Sequence, residues 1–169
     1  MNLILTPKGL RVGIKTLPCT IGRQGLSTWK SEGDNTTPVG RHKIVGMLYR
    51  PDRIMKPTDW AVPIRKRDAW SDDPLDPDYN MMVNTPHEFS HERLFRSDAM
   101  YDLVIITNWN WPYAIKNRGS AIFIHAWKNR GVPTAGCIAL SKGHLLWLAT
   151  KIRYQTELII PALSSSLQK

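Results

Sequence analysis

One histidine and one cysteine lie close together in the sequence, in a pattern that suits nucleophilic catalysis. His125 ends an apolar, β-branched run, and Cys137 follows twelve positions later. A cysteine attacks a carbonyl only as its thiolate, and because the free thiol has a pKa of about 8.5, a nearby imidazole must remove its proton at neutral pH. We therefore interpret Cys137 as a candidate nucleophile and His125 as its base.

The surrounding residues supply the elements that would bring this pair together. Residues 120–125 are typical of a buried strand that delivers His125 at its end, and residues 128–133 are typical of a loop that turns the chain back. Small residues before the thiol leave the backbone N–H groups of Gly136 and Cys137 unobstructed, so we predict them as oxyanion donors. The alternative is that Cys137 is a small buried apolar residue without a chemical role.

The rest of the chain favours strands. Twelve prolines and eleven glycines divide the 169 residues into short segments. We predict a mainly β fold with a helix at residues 142–152, N-capped by Ser141. This helix would support the loop that carries Cys137, which we call the thiol loop (residues 134–137). Residues 51–86 hold six prolines and are predicted as a long irregular excursion. We expect one domain, residues 1–163, with a frayed tail at residues 164–169. The predicted strands are residues 3–5, 10–14, 42–48, 103–108, 121–125 and 157–160.

The charge balance is strongly basic. Lys and Arg number 23 against 14 Asp and Glu, which gives a net charge of +9. This charge favours an anionic partner, such as nucleic acid, a membrane surface or an acidic polymer, unless it only keeps the surface soluble. The basic cluster at residues 65–67 lacks a recognition-helix pattern and RNA-stacking motifs, so we do not expect nucleic acid as the partner. The two cysteines imply no disulfide framework, and no apolar run is long enough to span a membrane.

A competing motif lies at residues 87–91. His87, Glu88 and His91 follow the H-E-x-x-H pattern, in which two histidines one helical turn apart bind zinc and the glutamate acts as base. That interpretation requires a helix and a third ligand, and the sequence offers no histidine at the extended-motif distance. We favour a surface pair of histidines, and we expect neither a metal nor a cofactor.

The chain resembles the L,D-transpeptidase (YkuD-like) catalytic domain. The signature of that family is a histidine upstream of a Ser/Thr-x-Gly-Cys segment, which here comprises residues 134–137. Further motifs follow the order of a bacterial branch of the family over about residues 10–160. These motifs are residues 21–23, 30–34, 36–40, 49–52, 79–80, 92–93, 101–102 and 119–123.

The resemblance implies a fold and a reaction. The fold would be a mixed-sheet β-sandwich or barrel-like structure with one or a few helices. The backbone carbonyl of Ala126 would hold the imidazole of His125, and Cys137 would attack a meso-diaminopimelate carbonyl in a peptidoglycan stem, releasing D-alanine and leaving a thioester. An amine of a second stem would then complete a cross-link in cell-wall biogenesis that supports cell shape. Water would instead complete a carboxypeptidase (hydrolase) reaction.

The resemblance also implies partners and a location. It predicts a carbapenem adduct on the thiol and a place in the periplasm or cell envelope, although residues 1–7 do not resemble an export signal, which leaves the export route and a cytoplasmic location open. We expect a monomer. A non-catalytic wall-binding module remains the alternative to an enzyme.

Candidate substrate contacts flank the proposed pair. Large amphipathic rings suit a ligand with sugar and peptide parts. Two positions depart from the commonest family pattern: Ala135 stands where many members have histidine, and Ala139 where many have arginine. A basic residue of the preceding loop would replace that arginine, and the short interval between His125 and Cys137 implies a more open cleft. The predicted substrate-binding residues are Thr134, Arg130, Lys128, Trp127, Trp109 and Tyr49.

Overall fold

The computed structural model describes residues 1–162, which form a mainly β fold, as predicted. The predicted tail at residues 164–169 lies outside the described residues. The elements are β1 (Leu3–Thr6), β2 (Gly9–Val12), β3 (Lys15–Leu17), β4 (Cys19–Thr20), β5 (Leu26–Ser27), β6 (Thr37–Pro38), β7 (Gly40–Tyr49), β8 (Val62–Pro63), β9 (Asp68–Ser71), β10 (Met82–Asn84), β11 (His91–Arg93), β12 (Leu103–Thr107), β13 (Phe123–Ala126), β14 (Ile138–Leu140), α1 (Lys142–Ala149) and β15 (Glu157–Ile160).

The main sheet curls round until its two edges nearly meet. Its strand order is β3-β2-β1-β15-β7-β12-β13-β14-β4. The short strand β8 also pairs with β7, outside this order. The two edge strands, β3 and β4, are joined in the chain by the single residue Pro18. A sheet whose first and last strands are this close wraps around its own apolar face, which agrees with the barrel-like fold that the resemblance implied.

Strand β12 separates two apolar clusters. Leu103 and Ile105 face the first cluster, inside the curled sheet, whereas Val104 and Ile106 face the second. Because side chains alternate along a strand, a strand buried on both faces has a continuous apolar sequence. The same alternation in β13 places Phe123 in the second cluster and its neighbours Ile124 and Ala126 in the first.

One helix, α1, closes the inside of the curled sheet within residues 1–162. Ser141 is its N-cap, and the Ser141 Oγ accepts a hydrogen bond of 3.2 Å from the backbone N–H of His144, as predicted. The helix ends at Ala149, earlier than the predicted residue 152. It packs against β13 and β12, so it supports the strand that carries His125. No helix in this described part of the chain is both long and apolar enough to cross a membrane.

The predicted excursion at residues 51–86 is ordered. It contains β8, β9 and β10, and a second sheet forms in the order β10-β9-β11. Trp70 of β9 is buried against Phe123, with the two ring centroids 5.0 Å apart. Most of the segment is irregular, as predicted, and its strands of two to four residues were not predicted because they leave too little alternation to detect beside so many prolines.

Candidate active site

Parallel pairing of β13 with β14 brings the histidine and the cysteine to one face. The register pairs His125 with Ala139, and Cys137 lies two residues before Ala139, immediately ahead of β14. Residues two apart on a strand share a face, so His125, Ala139 and Cys137 all face the same side. Accordingly, all three residues line one cleft with a volume of about 340 Å³.

His125 is buried in a defined neutral form. Its Nδ1 lies 2.8 Å from the Ala126 carbonyl, the predicted partner, and because a carbonyl only accepts, Nδ1 carries the proton. Nε2 of the neutral ring is then an acceptor. Burial lowers the pKa of His125 to about 4, against the opposing effect of this hydrogen bond. The ring also meets the edge of Tyr101 at a centroid distance of 5.2 Å. The imidazole is therefore an oriented, uncharged base.

The Cys137 thiol is uncharged as well. Its Sγ donates to the Ala121 carbonyl at 3.0 Å and accepts from the Phe123 N–H at 3.3 Å. Burial raises the pKa of Cys137 to about 12, and the Glu92 carboxylate acts in the same direction. No hydrogen bond joins the thiol to His125, although both residues lie in the described range. The resting pair is therefore neutral.

The thiol loop is held by a closed set of hydrogen bonds. The Gly136 N–H donates to Thr134 Oγ1 at 3.1 Å, and the same hydroxyl donates to the Cys137 carbonyl at 2.6 Å. Thr37 Oγ1 donates to the Gly136 carbonyl at 2.7 Å. Gly136 has a φ of +145°, which favours glycine. The Gly136 N–H that we predicted as a free oxyanion donor is thus occupied, because the Thr134 hydroxyl lies in reach.

The structure places three of the six predicted substrate residues in the cleft and three outside it. Trp127, Lys128 and Thr134 line the cleft with the thiol. Arg130 is exposed on the loop and does not line it. Ala139 is buried in the wall of the cleft. Lys128 and Arg130 were the two candidates to replace the family arginine, and of these only Lys128 lines the cleft.

Trp109 and Tyr49 serve other parts of the fold. Trp109 packs against His42 at a centroid distance of 5.7 Å, and its Nε1 donates to the Arg118 carbonyl at 3.2 Å, on a separate surface groove. Tyr49 ends β7, where it pairs with Leu103 and packs against the first apolar cluster. Neither residue lines the cleft. Both residues were predicted as substrate contacts, and that role stays a prediction.

A partly buried carboxyl group lies in the same cleft. Glu92 lines it, accepts a hydrogen bond of 2.8 Å from the Tyr101 hydroxyl and lies 3.5 Å from the Arg96 guanidinium. Burial raises the pKa of Glu92, and the nearby Asp72 carboxylate adds to that effect. Burial also raises the pKa of Tyr101, and the adjacent Glu92 charge acts in the same direction. The cleft wall next to the thiol is therefore acidic on this side.

A buried ammonium group lies in the cleft together with these acids. Lys30 is 8% exposed and pairs with Asp34 at 2.7 Å. Our sequence analysis did not assign Glu92 and Tyr101 to the cleft, although both lie, like Lys30, in motifs that carry the resemblance. Their membership in those motifs was the available signal.

The H-E-x-x-H segment does not form the helix that a zinc site requires. His91 begins β11 and pairs with Ser71 of β9, and the residues before it form bends. His87 Nε2 donates to Asp76 at 2.6 Å, and His91 Nδ1 donates to the Phe89 carbonyl at 2.8 Å. Within residues 1–162, no three histidine, cysteine, aspartate or glutamate side chains are grouped as metal ligands. The two histidines instead make hydrogen bonds within the fold, and the His87 side chain is only 16% exposed.

The fold and the cleft together define a mainly β domain with a thiol and an imidazole on neighbouring parallel strands. The sequence matches the L,D-transpeptidase catalytic domain family (YkuD) over residues 5–160. Because this match covers most of the chain, the protein belongs to that family. The resemblance inferred from its motifs is confirmed.

The chain was also compared with curated protein sequences and with solved structures. No curated protein has a significant sequence match to the chain. Among solved structures, an L,D-transpeptidase from Mycobacterium smegmatis is similar, with 13% sequence identity and a TM-score of 0.45. The alignment covers 95% of this chain and 58% of that protein, so the chain spans little more than half the length of that protein.

Proposed function

We propose that this protein is a cysteine-dependent acyltransferase that cross-links peptidoglycan stem peptides by L,D-transpeptidation in the cell envelope. Family membership supports the reaction class. The observation that carries the proposal is the single cleft in which His125 offers an unprotonated Nε2 on the same face as the Cys137 thiol. A thiol with an oriented neutral base is the minimum that acyl transfer requires.

The neutral resting pair indicates when the proton moves. A carbonyl of the donor stem enters the cleft, and the thiol leaves the Ala121 carbonyl. As Cys137 Sγ forms its bond to the carbonyl carbon, its proton passes to His125 Nε2 and the carbonyl π electrons move to oxygen. The tetrahedral intermediate then collapses. The C–N bond to D-alanine breaks, the imidazolium returns its proton to the leaving amine, and a thioester remains on Cys137.

The second half-reaction uses the same groups in reverse. The amine of an acceptor stem attacks the thioester carbon, His125 takes a proton from that amine, and the thiol is released with a proton from the imidazolium. Water in place of the amine gives hydrolysis. We propose a meso-diaminopimelate residue as the donor and a carbapenem as a covalent ligand of the same thiol, in a protein that acts as a monomer.

The experiment that tests this function uses purified muropeptides. Wild-type protein should convert tetrapeptide muropeptides into cross-linked dimers with loss of D-alanine, detected by mass spectrometry. Loss of D-alanine without dimers would assign the hydrolase alternative. Cys137→Ser is the matched control, because it replaces only the sulfur atom. Identical muropeptide profiles for wild type and Cys137→Ser would contradict the proposal.

A further inference from the structure

The cleft contains one buried cation. Arg23, Lys30 and Lys128 are the basic residues that line it, and Arg23 and Lys128 are exposed whereas Lys30 is 8% exposed. Taking an ammonium group out of water is costly unless a partner compensates. Asp34 provides that partner at 2.7 Å. Because burying the Lys30 ammonium group costs free energy, Lys30 is a candidate for a functional role in the cleft.

Two glycines make room for this side chain beside the thiol loop. A Cβ atom on Gly119 would lie 2.8 Å from Lys30 Cε, and a Cβ atom on Gly136 would lie 3.5 Å from Lys30 Nζ. Both glycines have positive φ angles, +91° and +145°. The ammonium group therefore lies close to Gly136, the residue that precedes Cys137.

Asp34 holds the ammonium in a fixed position. Its carboxylate accepts hydrogen bonds from the Ser31 N–H at 2.8 Å, the Thr36 N–H at 2.9 Å and the Thr36 hydroxyl at 2.8 Å. Although burial acts to raise the pKa of Asp34, the bonds from Lys30, Thr36 and Ser31 together lower it to about 2. Asp34 is thus ionised at any working pH, and the pair is preorganised rather than formed on demand.

One N–H group of the Lys30 ammonium remains available to donate a hydrogen bond in the cleft. An ammonium group has three N–H donors. Asp34 accepts one at 2.7 Å and the Ser31 carbonyl accepts another at 3.4 Å, and within residues 1–162 no acceptor is found for the third. In addition, the Lys30 charge lowers the pKa of Cys137, against the larger raising effect of burial. Lys30 therefore favours a negative charge at the thiol.

We propose that Lys30 is a catalytic residue whose ammonium group stabilises negative charge on the Cys137 sulfur as its proton leaves, and then the charge on the oxyanion that the attack forms. The Gly136 N–H already donates to Thr134, so a charged donor at this position supplies what the backbone of Gly136 does not. The oxyanion part rests on the acyl transfer proposed above. The thiolate part does not depend on any substrate.

The test measures alkylation of Cys137 by iodoacetamide, an uncharged reagent, with mass spectrometry of the Cys137 peptide to separate it from Cys19. Lys30→Met removes the charge at nearly constant length and should slow alkylation at pH 8 by roughly three- to tenfold, since the lost thiolate is partly offset by its higher nucleophilicity. Asp34→Asn removes the opposing charge and should speed alkylation. Lys8→Met, at the exposed turn between β1 and β2, is the matched control and should match wild type.

Opposite effects of the two variants distinguish charge from structure. A loosened cleft would change the rate in the same direction in Lys30→Met and Asp34→Asn, and that result would overturn the proposal. So would a wild-type rate in Lys30→Met. If Lys30→Met does not fold, an Asp34→Asn rate no faster than wild type still overturns the proposal, because it is incompatible with the proposed charge effect.

A second measurement tests the oxyanion role. On muropeptides, Lys30→Met should lower kcat by about 100-fold, the usual cost of losing one oxyanion donor, with a much smaller change in KM, whereas Lys30→Arg should recover part of kcat. An unchanged kcat in Lys30→Met would overturn this role. If wild type itself does not turn over muropeptides, the function proposed above fails, while the alkylation comparison still tests the effect of Lys30 on the thiol.

Discussion

Two regions of the molecule carry histidines in patterns typical of catalysis, but only one of these regions forms part of the cleft. His125 and Cys137 are twelve residues apart in the sequence, and β13 and β14 place them on one face of a parallel pair, in one cleft. His87 and His91 are four residues apart, and each is held by a different partner outside that cleft. A short motif indicates chemistry only when the required secondary structure forms.

The two regions also differ in where their histidines lie relative to the cleft. Nδ1 of His125 is bound to a backbone carbonyl, so Nε2 remains available in the cleft. For His87, Nε2 itself is bound to the buried Asp76, which also accepts from Ser71. His91 Nδ1, like His125 Nδ1, donates to a backbone carbonyl, so the feature that marks His125 as the base is its place beside the thiol in the cleft. The following predictions test this contrast.

The largest expected effect is on turnover. His125→Ala removes the base and should lower the kcat of muropeptide cross-linking by about 100- to 10,000-fold, the usual range for general acid–base groups. His87→Ala should change kcat by less than about twofold, because His87 does not line the cleft. Steady-state rates from mass spectrometry of the products measure both. Equal losses in the two variants would show that the contrast is wrong.

The next effect is on stability at acidic pH. Burial lowers the pKa of His125 from an ordinary value of 6.5 to about 4. Between these pH values the unfolded chain binds a proton that the folded chain does not, so the free energy of unfolding falls as the pH falls from 6.5 to about 4. One such group accounts for a loss on the order of 3 kcal/mol.

His125→Gln isolates that contribution. Glutamine does not titrate, so this variant should lose less stability than wild type between pH 7 and pH 4, by the same amount. Urea unfolding at a series of pH values measures the difference. His42 is also buried with a lowered pKa, but it is present in both proteins and cancels in the comparison. Parallel pH profiles for the two proteins would contradict a buried neutral His125.

Part of this contrast was accessible from the sequence. The apolar run before His125, the Ser141 N-cap and the strand at residues 157–160 were all predicted, because each has a strong local pattern. Strand β14 was missed, since three buried residues show no periodicity. Its parallel pairing with β13 is the step that assembles the site, and pairing between distant segments has no local signal.

The remaining features of the site depend on side chains that meet only in the folded chain. The sequence shows Thr134 and Gly136 two residues apart but not that the hydroxyl takes the N–H. It shows Lys30 in a turn motif but not its burial beside Gly136. For residues 87–91, pairing of β11 with β9 prevails over the local pattern, which fits a helix as well as a strand.

A smaller effect is expected on the stability provided by His87. Its hydrogen bond to Asp76 satisfies a carboxylate that is 2% exposed. His87→Ala should lower the free energy of unfolding by about 1–3 kcal/mol, the usual cost of leaving a buried acceptor without one of its donors. Urea unfolding at pH 7 measures it. Loss of stability without loss of kcat is the reverse of the result expected for His125→Ala, and a fully stable His87→Ala protein would contradict a structural role.

The smallest expected effect is that of a chelator. If residues 87–91 held a catalytic metal, treatment with EDTA and dialysis would abolish turnover of muropeptides, and added zinc would restore it. With His87 and His91 bonded to Asp76 and to the Phe89 carbonyl, we expect the treated protein to keep its kcat within error. Metal analysis of the same samples is the control, because turnover must be compared at a known metal content. Activity that tracks zinc content would reverse the assignment of the two regions, since residues 87–91 would then carry the chemistry and the thiol would not.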